Sequence, residues 1–131
     1  MGEGSYYVVR GAKIKCDHGS HKRRINLPVS HGGYVNEKPI MNETDTEANK
    51  NITYLGICNS GKNPSNEKIC LINEKGQTIE GKKCCPKILS TWLKTKGDTK
   101  AEGKAVLTNE SQLICAYGGK ITFVNDGQKE D

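Results

Sequence analysis

One pattern occurs three times in the sequence: a short β-type run followed by Cys-x-x-Gly, in Lys13–Gly19 (KIKCDHG), Leu55–Gly61 (LGICNSG) and Gln112–Gly118 (QLICAYG). A weak internal repeat of this kind indicates related structural units within one chain. The glycine of each copy should let the backbone turn sharply after the cysteine. The repeat therefore predicts three strand–cysteine–turn units in a threefold-like arrangement.

The repeated cysteines are candidate zinc ligands. Structural zinc takes four ligands in a tetrahedron and favours thiolates, so Cys16, Cys58 and Cys115 would supply three corners. Cys84 is the candidate for the fourth corner, with Cys85 as the alternative. Ordinary buried thiols are the competing interpretation, because free cysteine is among the most buried residue types. We expect one structural zinc ion, which would stabilise the fold directly.

Two histidines lie near the first copy of the repeat. His18 and His21 could also bind the metal, but neither has a counterpart in the other two copies, so we expect both to be exposed loop residues. His31, in Ser30–Gly33, is expected to be a turn or surface residue rather than a catalytic base.

Composition predicts a single small domain with a thin core. The chain has 131 residues, of which 34% are hydrophobic and 15 are glycine, and its mean hydropathy is −0.69. This length fits one domain, here residues 1–131, and the many short β-type runs between turns indicate a mostly β fold. We expect a metal-stabilised β domain with pseudo-threefold character.

Several local predictions accompany this fold class. Pro86–Lys94 is the one helix candidate, because its apolar residues fall at helical spacing, although the segment also alternates as a strand would. We expect exposed loops at Asn42–Asn51 and Thr95–Lys104, which are polar and lack periodicity. Residues 125–131 are expected to form a frayed polar tail.

Charge and cysteine content narrow the class of protein. The net charge of +5 is mildly basic, but no aromatic residues interleave with the basic clusters to stack bases, so no nucleic-acid partner is expected. The N-terminus lacks the features of a signal peptide, which favours reduced thiols over disulfides. No paired carboxylates and no Ser-His-Asp order indicate catalysis, so we expect a protein that is not an enzyme.

Blocks along most of the chain resemble the family of PAAR-like proteins. The resemblance begins with Tyr7–Cys16 and ends with Asp126–Gln128, and its blocks are specific in combination. The blocks between these ends are Lys38–Asn42 with Thr44 and Asp45, Asn51–Ile52, Gly56–Ser60 with Asn63 and Pro64, Cys84–Pro86 leading to Trp92, Leu107–Thr108 with Ser111 and Leu113, and Cys115–Ile121.

The resemblance implies a fold and a role. PAAR-like proteins resemble the spike-tip proteins of type VI secretion and related contractile injection systems. The likeness implies a β-rich, metal-stabilised cone that caps a homotrimeric β-helical spike of the VgrG type and sharpens it. The family's Cys-x-Pro before a Trp is fitted best by Cys84, Pro86 and Trp92, which leaves Cys85 as an extra thiol. PAAR proteins themselves use mainly histidine ligands, whereas the matching residues here are cysteines.

Partners and location follow from the same resemblance. We expect assembly in the bacterial cytoplasm without a signal peptide, export or injection with the spike, noncovalent effector proteins as further partners, and transient contact with a target membrane. Two other functions remain as alternatives: an extracellular, disulfide-stapled binding or toxin domain, and a basic zinc module that binds nucleic acid.

Overall fold

The protein is described by a computed structural model that covers residues 6–35, 37–47 and 50–128. Within these residues it contains ten short β-strands and no helix. The strands are β1 (Lys13–Cys16), β2 (Arg23–Arg24), β3 (Tyr34–Val35), β4 (Lys38–Pro39), β5 (Lys68–Ile72), β6 (Thr78–Lys82), β7 (Lys96–Ala101), β8 (Lys104–Val106), β9 (Gln112–Ile114) and β10 (Lys120–Phe123).

The largest sheet is antiparallel and has the strand order β2-β1-β10-β9, so the two ends of the chain meet in it. Alternation along its strands directs Ile14, Leu113 and Ile121 inward, where each is no more than 1% exposed. Lys15 and Lys120 are on the outer side. This sheet provides one wall of the core.

Three two-stranded hairpins, β3–β4, β5–β6 and β7–β8, complete the regular structure. Isolated bridges connect segments that are distant in sequence, including Tyr7 with Thr108 and Asn42 with Val106. The β9 edge of the main sheet is also covered, since Leu93 exchanges backbone hydrogen bonds with Gln112. Covered edges limit unwanted pairing with other chains. The prediction of a mostly β single domain is confirmed.

Trp92 lies at the centre of the core. Its side chain is 2% exposed and stacks on Phe123 with ring centroids 4.8 Å apart. The indole Nε1 donates to the Asp45 carbonyl oxygen at 3.0 Å, which satisfies the buried N–H group.

Two predictions of local structure are wrong. Pro86–Lys94 is not a helix but an extended segment, in which Ile88 bridges to Cys115 and Leu93 bridges to Gln112. Its alternating pattern, not its helical spacing, reflects the structure, because pairing with the segment around β9 satisfies its backbone. Thr95–Lys104 is not a loop, since most of it belongs to the β7–β8 hairpin.

The Asn42–Asn51 segment is less exposed than predicted. Asn42, Asp45 and Asn51 are at most 7% exposed, while Ala48 and Asn49 lie outside the described residues. Asn42 uses its amide Nδ2 to donate to the Ala101 carbonyl oxygen at 3.1 Å, and its Oδ1 accepts from Thr44. The polar side chains of this turn are buried because they replace the backbone partners that a strand would provide.

The predicted frayed tail is wrong for Asn125–Gln128. Val9 donates its N–H to the Asp126 carbonyl oxygen, and the Gln128 amide donates to the Tyr7 carbonyl oxygen at 2.7 Å. Gly127 is buried against Ala12. Residues 129–131 lie outside the described part of the chain.

His31 joins three segments rather than lying free at a turn. Its side chain is 15% exposed, with Nε2 at 2.9 Å from Asp45 Oδ1 and Nδ1 at 3.0 Å from Glu102 Oε1. Burial alone would lower the pKa of His31, but the hydrogen bonds and charges of Asp45 and Glu102 outweigh it and raise that pKa above its usual value. His31 is therefore stabilised as a cation that ties the β7–β8 turn to Asp45.

We predict that His31→Gln lowers the free energy of unfolding by about 1–2 kcal/mol near pH 6 and by less near pH 9. A raised pKa in the folded state gives stability that is fully present below the pKa of unfolded histidine. That stability is lost as the pH rises through the folded pKa. Urea denaturation at both pH values measures the difference, and Glu102→Gln, which keeps the Asp45 contact, should cost less. An equal loss at the two pH values would contradict the assignment.

Candidate metal centre

Four cysteines from distant parts of the chain surround one small cavity. Cys16, Cys58, Cys84 and Cys115 line a cavity of about 10 Å³, and we call these four residues the cysteine cluster. A cavity of this size is close to the minimum that holds one water molecule. The remaining lining residues are His18, Leu55, Cys85, Pro86, Tyr117, Gly119 and Ile121.

Backbone hydrogen bonds hold each member of the cluster in place. Cys16 ends β1 and pairs with Ile121 of β10, while Cys115 directly follows β9 and donates its N–H to the Gly119 carbonyl oxygen at 2.9 Å. Cys58 donates to the Lys82 carbonyl oxygen, and Cys84 donates to that of Gly56 at 2.8 Å. The main sheet thus supplies two thiols, and the segments beside β6 supply the other two.

The three repeated turns are related but not equivalent. In two of them the glycine closes the turn, since Gly19 N–H donates to the Cys16 carbonyl oxygen and Gly118 N–H to that of Cys115. In the second copy, which contains Cys58, the turn lies two residues later, at Ser60–Asn63. There the Asn63 side-chain amide donates to the Cys58 carbonyl oxygen at 3.3 Å.

The glycine requirement of the repeat also differs from the prediction. Only Gly118 has a positive φ, +95°, whereas Gly19 is needed for its close approach to Leu55. Gly61 has no neighbour within 4 Å of an added Cβ. The second copy therefore also has a turn at its glycine, within Ser60–Asn63, but nothing around Gly61 requires a glycine there.

The turns are joined to one another at the cluster. Asn59 donates its N–H to the His18 carbonyl oxygen at 2.9 Å, and Ser60 Oγ donates to the Tyr117 carbonyl oxygen. Cys58 also forms an isolated antiparallel β-bridge with Gly19, in the first turn. The second turn is thus held between the first and the third, which brings all three repeated cysteines to one place.

Burial and mutual repulsion raise the pKa of two of the four thiols, those of Cys16 and Cys84. Burial raises the pKa of Cys84 to about 11, and the negative charges that Cys58, Cys16 and Cys115 would carry add to this effect. The pKa of Cys16 is raised chiefly by burial and also by Cys115 and Cys58. Backbone N–H groups act in the opposite direction, since those of His18 and Leu55 face the sulphurs of Cys16 and Cys84.

The other candidate ligands are placed differently. His18 is partly buried at the cavity, with Nδ1 at 2.9 Å from Asn59 Oδ1, whereas His21 does not line it and bonds to the Ile72 carbonyl oxygen. Neither histidine is the exposed loop residue that we expected. Cys85 lines the cavity but is exposed, and Cys84 is buried among the other thiols. All six cysteines are free thiols.

The thiols surround the cavity without forming a finished coordination sphere. Among the residues that the structure describes, no group of three or more His, Cys, Asp or Glu side chains is arranged to hold a metal ion as it stands. That the cluster binds zinc therefore stays a prediction.

Gly119 is the site residue that the sequence analysis missed. A Cβ at this position would overlap Cys16 Sγ, and it would also touch Cys115 Cβ at 3.9 Å. The glycine therefore lets the backbone pass directly beside the cluster. Its position just after the third Cys-x-x-Gly, in Gly118-Gly119, was the available signal.

We predict that Gly119→Ala lowers the free energy of unfolding by about 1–3 kcal/mol, because the added methyl group displaces the Cys16 thiol from a packed site. Gly61→Ala is the matched control in the second copy of the repeat, where the methyl group meets nothing, and it should change stability by less than about 0.5 kcal/mol. Urea denaturation of the two variants compares them, and equal losses would exclude the steric role of Gly119.

Comparison with known proteins identifies a family. No match to the chain was found among curated proteins or among solved structures. The described residues include no helix of the length and apolar character that a membrane crossing requires. A family model, described as a domain of unknown function (DUF4280), matches residues 8–128 and so includes the whole cysteine cluster. The chain belongs to the DUF4280 family.

Proposed function

We propose that the protein is a non-enzymatic spike-tip protein with one structural zinc ion, and that it caps a trimeric β-helical spike of the VgrG type in a contractile injection system. One observation carries this proposal: three cysteines of a repeated motif and a fourth cysteine surround a single small cavity. The resemblance of the sequence blocks to PAAR-like proteins supports the second part of the proposal, because that family implies a metal-stabilised cone at the tip of a spike.

The donor set and the cavity fit zinc. Four thiols can provide the tetrahedral sulphur environment that structural zinc prefers, and the cavity of about 10 Å³ has room for one small ion. Rotation of the thiols about their Cα–Cβ bonds would complete the coordination sphere. Zinc supplies the positive charge that such a cluster needs when its thiols lose their protons.

The electrostatics of the cluster favour a structural role over a catalytic one. A thiol with a raised pKa, such as Cys84 at about 11, is protonated at neutral pH and is a poor nucleophile. The backbone N–H groups of His18 and Leu55 stabilise the thiolate form once a cation is present. A buried ion at this position would connect segments around residues 16, 58, 84 and 115, and so would reinforce a thin core.

A single chain with three related turns suits the end of a trimer. A homotrimeric spike presents a threefold-symmetric face, and one chain with internal threefold character can match that face once and close it. Closure also covers the strand edges at the end of the spike, which would otherwise pair with other chains. In this chain, the three related turns that meet at the cysteine cluster would provide the internal threefold character.

We predict that protein purified without added metal contains about one zinc ion per chain. Cys84→Ser should lose most of this zinc and unfold at a lower temperature, because it removes a buried ligand. Cys85→Ser is the matched control at the neighbouring residue, and it should keep both the zinc and the melting temperature. Elemental analysis and thermal melting measure the two effects. A metal-free wild-type protein that is fully folded would exclude the zinc centre.

We predict that the protein copurifies with a homotrimeric β-helical spike protein encoded near it, with one copy bound to each trimer. Mass measurement of the complex gives this ratio directly. Three copies per trimer, or no complex with any neighbouring spike protein, would exclude the capping role. Retention of zinc together with steeply salt-dependent binding to DNA or RNA would instead support the nucleic-acid-binding alternative.

A further inference from the structure

Two adjoining clefts lie between the outer side of the main sheet and the turn of the β5–β6 hairpin. They measure about 550 Å³ and 390 Å³ and share His21, Lys22 and Glu74 as lining residues. The larger cleft extends over Lys13 and Arg24, and the smaller one extends to Lys15 and Lys75. We call the two clefts together the basic groove.

The charge of the groove is strongly positive. Its cationic side chains are Lys13, Lys15, Lys22, Arg23, Arg24 and Lys75. Glu74 is the only carboxylate among the described residues that line it, and it lies 3.6 Å from Lys22 Nζ. The strands of the main sheet add none, because β1, β2, β9 and β10 contain no Asp or Glu. The groove therefore attracts an anionic ligand.

Hydrogen bonds fix the walls of the groove before any ligand binds. His21 Nε2 donates to the Ile72 carbonyl oxygen at 2.8 Å, and His21 Nδ1 lies 2.7 Å from Ser20 Oγ in a second hydrogen bond. Asn73 Oδ1 accepts the N–H groups of Lys75 and Gln77, which fixes the hairpin turn. A preformed groove loses little conformational entropy when a ligand binds.

We propose that the basic groove binds an acidic, extended peptide segment of a protein partner. The neutral lining supports a peptide: Val124 is 43% exposed in the larger cleft and offers an apolar contact. A peptide can place its carboxylates beside Lys15 and Arg24 and an uncharged residue beside Glu74. A nucleic acid carries a phosphate at every nucleotide and lacks this freedom, and no Phe, Tyr or Trp ring lines either cleft to stack a base.

This proposal is independent of the spike-tip function. It uses the cations Lys13, Lys15 and Arg24 and the β5–β6 turn, whereas the zinc proposal uses the cysteine cluster, of which only Cys16 borders the groove. A chain that failed to cap a spike would still have the groove, and a chain with an empty groove would still have the cysteine cluster.

The test uses the full-length protein and a fluorescently labelled peptide rich in Glu and Leu. Lys15→Gln with Lys75→Gln removes two exposed cations from the groove, and Lys100→Gln with Lys104→Gln removes two from the β7–β8 hairpin, outside it. The two variants have the same net charge. Fluorescence anisotropy should show that the groove variant binds the peptide about five- to tenfold more weakly than wild type, while the hairpin variant binds like wild type.

Three results would overturn the proposal. Equal weakening in the two double variants would mean that net charge alone attracts the peptide. Failure of the wild-type protein to bind the peptide at low salt would exclude the groove as a peptide site. Tighter binding of a short DNA duplex than of the peptide, lost in the groove variant, would assign the groove to nucleic acid instead.

Discussion

The four thiols around one cavity are the constraint on which the rest of the structure depends. They come from β1, from the end of β9 and from two segments beside β6, so the cavity exists only when the whole chain is folded. In the part of the chain that the structure describes, no strand is longer than six residues. Burial and repulsion raise the pKa of Cys16 and Cys84, while the backbone N–H groups of His18 and Leu55 act in the opposite direction. The proposed zinc ion would have to displace the protons of these two thiols.

A second connection, made of polar groups, holds the chain at Asn42–Asp45. The Asn42 side chain donates to the carbonyl oxygen of Ala101, at the end of β7. Asp45 accepts the indole N–H of Trp92 with its carbonyl oxygen and binds His31 with its carboxylate. The His31 ring also binds the Glu102 carboxylate. Such a network stabilises a fold only when each member finds a partner. Among the described residues, no buried side-chain nitrogen or oxygen lacks one. Short strands leave many backbone groups unpaired, and side chains such as these provide the missing partners.

Sequence reasoning succeeded where residue identity alone carried the signal. The three Cys-x-x-Gly copies pointed to the cysteines that the structure brings together, because few other arrangements explain a repeated cysteine after repeated β-type runs.

Sequence reasoning failed where tertiary contacts decide the local structure. Ile88 and Leu93 satisfy both helical and extended spacing, and only pairing with Cys115 and Gln112 selects the extended form. The β7–β8 hairpin is solvated on most of its length, so its Lys-rich strands lack the alternation that marks a half-buried strand. The Cys-x-Pro block favoured Cys84 over Cys85, and the structure finds Cys84 buried and Cys85 exposed, a difference in burial that two adjacent cysteines do not reveal by themselves.

The alternation of β1 explains how one short strand can serve two different surfaces. Lys15 lines only the basic groove, while Cys16, one residue later, belongs to the cysteine cluster and also borders the smaller cleft of the groove. Side chains alternate in the same way on β10, where Ile121 lines the cavity and the preceding Lys120 is exposed. Because side chains on opposite faces share only the backbone, charges on the outer side can change without altering the packing around the thiols. The cluster and the groove can therefore be changed separately by substitution, although Cys16 borders both of them.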